Sequence, residues 1–73
     1  MRPYDALLAL TKIYLGPAAE SFLGRQCQLA LKIEAPKITK AQFKDLAYVV
    51  EVAACRFLDR GKAEEMSKRI AAL

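Results

Sequence analysis

Histidine is absent from this chain, and cysteine, glycine and proline are sparse, with two cysteines, three glycines and three prolines among 73 residues. Without an imidazole no Ser–His or Cys–His nucleophile pair can form, and none of Ser21, Ser67, Cys27 or Cys55 has a neighbouring lysine arrangement that replaces it. Two thiols and no histidine also fall short of a structural zinc site. The glycines are too scattered to cradle a phosphate. The one adjacent pair of carboxylates, Glu64-Glu65, projects about 100° apart on a helix and reads as solvated. These absences predict a non-catalytic chain with no metal, no cofactor and no small-molecule substrate.

The cysteines have neither the close spacing nor the abundance of a secreted disulfide scaffold. This predicts a reduced, cytoplasmic chain in which Cys27 and Cys55 are both small buried apolar side chains, ahead of a bridge between them or a redox sensor. No basic region leads into an apolar run with a cleavage site, and no apolar stretch approaches the roughly 20 residues of a membrane span, so a soluble protein that engages no membrane is expected. The length allows one domain, residues 1–73. A domain this small buries only about 60% of its unfolded surface, which leaves oligomerisation or unusually good packing to supply the last stability.

What the chain has in plenty is apolar side chains, 55% of its residues, above the roughly 45–50% usual for soluble domains. They recur at three- and four-residue spacings with no strand-like alternation, which predicts an all-α fold. Helix one runs from Pro3 to Leu15, with Tyr4, Leu7, Leu8, Thr11, Tyr14 and Leu15 on one face and Leu10 and Ile13 off it. Gly16-Pro17 makes a tight corner. Helix two runs from Pro17 to about Leu31, burying Ala19, Phe22, Leu23, Gln26, Cys27 and Ala30, with Gly24 read as a point of close helix approach. Lys32 to Ile38 is a loop, and Thr39 to Gln42 has the spacing of a capping box. Helix three then extends to about Leu58 and is broadly apolar, as for a central helix. Gly61 closes it, and Lys62 to Leu73 forms a short amphipathic lid with Ala63, Met66, Ile70 and Leu73 inward. The expected architecture is a compact four-helix bundle: a helix hairpin, a long central helix and a short C-terminal helix.

The segment Ile13-Tyr14-Leu15-Gly16-Pro17-Ala18-Ala19, followed by Phe22 and Leu23, resembles a small helical module found at the ends of bacterial signalling proteins, alongside kinase or receiver domains. The resemblance covers the first two helices and implies a non-catalytic regulatory or docking module. The second half, with its Cys55-Arg56-Phe57 end, departs from that pattern.

The surplus of apolar surface points to protein–protein interaction, either as a homodimer or as an adaptor in a bacterial regulatory system. Tyr4, Leu10, Ile13, Tyr48, Val49 and Val52 are the candidate interface residues, most of them apolar or amphipathic yet off the best core stripes. The alternative is nucleic-acid binding, since the formal charge is +4 and Lys37, Lys40 and Lys44 could meet phosphates around the start of helix three. Asp45 and Glu34 interrupt that patch, and it lacks the arginine and aromatic mixture that reads bases.

Overall fold

Arg2 sets the start of the first helix. Its backbone N–H donates to the Asp5 carboxylate at 3.2 Å and its guanidinium reaches the same group at 3.4 Å. Helix α1 (Pro3–Leu15) thus opens with proline where the missing donor costs nothing. In the computed structural model, which describes residues 2–73, α1 ends at Gly16, whose φ of 60° is a conformation that glycine adopts without steric cost. Pro17 lies in a short 3-10 turn, Gly16–Ala18, that feeds into α2 (Ala19–Gln26).

Beyond Gln26 the chain continues as a π turn, Cys27–Leu31, closed by Lys32 at φ 56°, whose N–H donates to the Cys27 carbonyl. Cys27 is buried but Ala30, expected beside it, is exposed. The wider π turn advances less per residue and so carries later side chains round toward solvent. Ala35, the first residue of a 3-10 turn Ala35–Lys37, and Ile38, which follows that turn, are buried in the core.

The Thr39–Gln42 capping arrangement is present: the Thr39 N–H donates to Gln42 Oε1 at 3.0 Å and the Thr39 hydroxyl approaches the same oxygen at 3.3 Å. A further turn, Lys40–Gln42, leads into α3 (Phe43–Ala54). This helix stops short of Leu58, because Phe57 and Leu58 both direct their N–H groups to the Ala54 carbonyl, at 2.9 and 2.8 Å. Asp59 then caps α4 (Arg60–Ala71), its Oδ1 accepting from the Lys62 N–H at 2.8 Å. Gly61 therefore sits in the first turn of α4 and does not close α3. The Asp59 carboxylate satisfies an orphan donor of the first turn and so sets the start of α4 ahead of Gly61.

Packing follows the apolar faces. α3 and α4 pair most extensively, α4 also packs on α1, and α1 packs on α2, while α2 and α3 touch only sparsely. Leu7, Leu23, Leu46, Val50, Met66 and Ile70 are fully buried between them. The Ser67 hydroxyl donates to the Ala47 carbonyl at 2.8 Å, tying α4 to α3, and Arg69 donates to the Tyr14 hydroxyl at 3.0 Å, tying α4 to α1. The radius of gyration, 10.6 Å, is close to the about 11 Å expected of a compact domain of this length. The fold is all-helical, with no strand among the described residues, and no helix among them is long and apolar enough to cross a membrane.

Two expectations about packing are corrected. α3 does not run through the middle: Phe43, Leu46, Ala47, Val50 and Ala54 face inward, but Tyr48 and Val52 on its other side are exposed. α2 touches it only sparsely, and among the described residues that side is left largely uncovered. Gly24 is not a point of close approach either, since a Cβ built there meets nothing within 4 Å.

Candidate functional site

Five large apolar side chains are exposed among the described residues, and four of them, Leu29 (70%), Tyr48 (74%), Val52 (63%) and Phe57 (68%), line a single groove. The groove has a volume of about 1010 Å³ and lies between α2 and α3, which touch only sparsely. One wall comes from α2 and its π turn, with Phe22, Arg25, Gln26 and Leu29 at helical spacing. The facing wall is the outer side of α3 and the turn after it, with Tyr48, Val52 and Arg56 each four residues apart. Tyr14 and Leu15, at the end of α1, also border it.

Phe57 is held in place by an edge-on contact with Phe22, ring centroids 5.9 Å apart and planes at 89°, a favoured aromatic geometry. The contact ties the turn after α3 to α2 and keeps the two walls in register. Arg25 and Arg56 are the only charged residues that line the groove, and neither joins an ion pair among the described residues. The site is thus an apolar channel with a positive charge on each wall and no carboxylate. The lining offers no nucleophile–base pair, and no group of carboxylates and thiols able to hold a metal ion occurs among the described residues.

The expected interface residues divide. Tyr48, Val49 and Val52 come together in the groove. Ile13 is exposed but lies outside it. Tyr4 and Leu10 are corrections: both are buried in the core, at 7% and 6% exposure. Tyr4 is buried with the stripe of α1 to which it belongs, and the hairpin at Gly16 folds α2 back over α1 and so covers Leu10 beside that stripe as well. Burial pushes the Tyr4 hydroxyl above its ordinary range, with the nearby Glu20 adding to the effect. Cys55 is also corrected, since it is exposed on the turn after α3, whereas Cys27 is buried and its thiol is pushed up by burial. Leu29, Phe57, Arg25 and Arg56 also line the groove and are not among the expected interface residues. Leu29 is an apolar residue off the buried face of helix two, which is a local signal, whereas Phe57 falls inside the expected span of helix three and the helix ends before it.

The lysines of the alternative reading, Lys37, Lys40 and Lys44, are all exposed around the start of α3. Lys37 is 3.5 Å from the Glu34 carboxylate, which already offsets part of its charge. None of the three lines the groove. Compared with known proteins, the chain matches no family model, no curated protein and no solved structure.

Proposed function

We propose that this chain is a non-catalytic protein–protein interaction module, an adaptor whose docking surface is the groove between α2 and α3. In this reading the four helices act as one bundle with an open flank, and the partner presents a helix to that flank. The observation that carries the reading is the gathering of Leu29, Tyr48, Val52 and Phe57 into one channel. Exposed apolar residues scattered singly mean little, but a contiguous patch costs free energy in water that a partner recovers. Tyrosine and arginine, the residue types that most often anchor interfaces, are both in the lining.

The test is a photo-activatable benzophenone side chain placed at position 52 and, for comparison, at the exposed position of Lys62 outside the groove, with irradiation in the cells the protein comes from. A protein adduct of discrete mass is expected from position 52 and not from position 62. Absence of an adduct at 52 refutes the docking reading. An adduct that nuclease digestion removes replaces it with nucleic-acid binding.

A further inference from the structure

We infer that the groove takes a single amphipathic helix whose apolar face is flanked by acidic residues, an inference that rests on the docking reading above. The first argument is shape. The groove is open along its length, with Leu29 on one lip and Tyr48 and Val52 on the other all more than half exposed. An acyl chain lying there would leave one side in water, whereas a helix needs to bury only one face and turns its polar face outward. From Tyr48 to Val52 the α3 wall rises about 6 Å at the helical rise per residue, and the turn beyond Ala54 extends it to Arg56 and Phe57, so that it offers successive contacts to a partner helix with apolar anchors at i, i+4 and i+7.

The second argument is charge. Arg25 and Arg56 stand on facing walls without an ion-pair partner among the described residues, no carboxylate lines the groove, and the chain as a whole carries +4. Arginine forms paired hydrogen bonds with carboxylates in a fixed fork, so glutamate or aspartate beside the apolar anchors satisfies both walls. The same charges disfavour a second copy of this chain. A twofold dimer through the groove sets each lining against itself, bringing four arginines together with no carboxylate to meet them. The partner is therefore a different, acidic chain, and the expected homodimer is set aside for this face.

Fluorescence anisotropy with two labelled helical peptides tests the inference. Both carry leucine at i, i+4 and i+7; one has glutamate at the flanking positions and the other lysine. The glutamate peptide is expected to bind at least about 10-fold more tightly in low salt, with the advantage shrinking as salt screens it. Val52→Asp is expected to abolish binding of both peptides. Arg25→Glu combined with Arg56→Glu is expected to reverse the preference, while Lys40→Glu combined with Lys44→Glu, outside the groove, preserves it. All these positions are exposed, and circular dichroism verifies that each variant remains folded. Equal or tighter binding of the lysine peptide overturns the acidic-partner inference and leaves the docking reading standing, as does a preference that follows the Lys40 and Lys44 changes instead. Failure of both peptides to bind, or displacement of the glutamate peptide by oleate, overturns the helix as occupant; the adduct from position 52 then decides separately whether the groove docks a protein at all.

Discussion

The Ser67 hydroxyl spans from α4 to the Ala47 carbonyl of α3 at 2.8 Å, almost shut off from water. A hydrogen bond of this kind contributes about 1 kcal/mol net. Ser67→Ala is expected to lower the free energy of unfolding in urea by about that much, and to lower Tm by roughly 4–8 °C in a domain of this size; an unchanged midpoint would give the tether no energetic role. Cys27 acts through protonation. Because burial pushes its thiol up, the folded state holds the proton to higher pH than the unfolded chain does. Its contribution is therefore fully present below the ordinary thiol range and is lost as pH rises through the raised value. Stability measured from pH 7 to 10 should fall more steeply for the native chain than for Cys27→Ala, which is less stable throughout but lacks this titration. Equal slopes would mean that the thiol does not report burial.

At the scale of elements, two helices carry features whose energies separate local from tertiary causes. Gly24 lies inside α2 at a position where an added Cβ meets nothing within 4 Å. Gly24→Ala should therefore raise stability by about 0.5–1 kcal/mol through helix propensity and a less flexible unfolded chain. A loss would restore the close-approach reading. Asp59 is the N-cap of α4, and Asp59→Ala should cost about 1 kcal/mol by orphaning the Lys62 N–H. Thermal melts monitored by circular dichroism measure both changes. These two positions also show how far an element can be read locally. The start of α1 at Pro3 and the Thr39–Gln42 entry to α3 were legible because their signals involve neighbours only three residues apart. The end of α3 was not legible: Cys55 to Leu58 carry no glycine or proline, and the break there comes from the turn at Ala54 and the edge contact between Phe57 and Phe22, which lies 35 residues away in the chain.

For the whole molecule, the sparse contact between α2 and α3 and the charge on the groove walls lead to one statement about assembly. The 8.1 kDa chain is expected to scatter light as a monomer across concentration at both low and high salt. A dimer that survives low salt would show that the arginine walls do not oppose self-association, and would reopen the symmetric reading. Apolar excess in the composition predicts a surface patch, and Tyr48, Val49 and Val52, expected at an interface, line the groove. Leu10 and Tyr4 are buried instead: Leu10 because a helical stripe records which residues share a side and not how many neighbours that side meets, and Tyr4 because it belongs to the core stripe of helix one.

The helical class, the corner at Gly16-Pro17 and the inward residues Ala63, Met66 and Ile70 of α4 follow from the amino-acid sequence, since backbone preferences and apolar periodicity act over a few residues. Only the packing of segments distant in the chain brings Leu29 from the α2 side together with Tyr48, Val52 and Phe57 from the α3 side in one groove, leaves α2 and α3 touching sparsely, and puts Arg25 and Arg56 on its two walls with no carboxylate in the lining among the described residues. Those facts depend on the angles at which whole helices pack around a shared core.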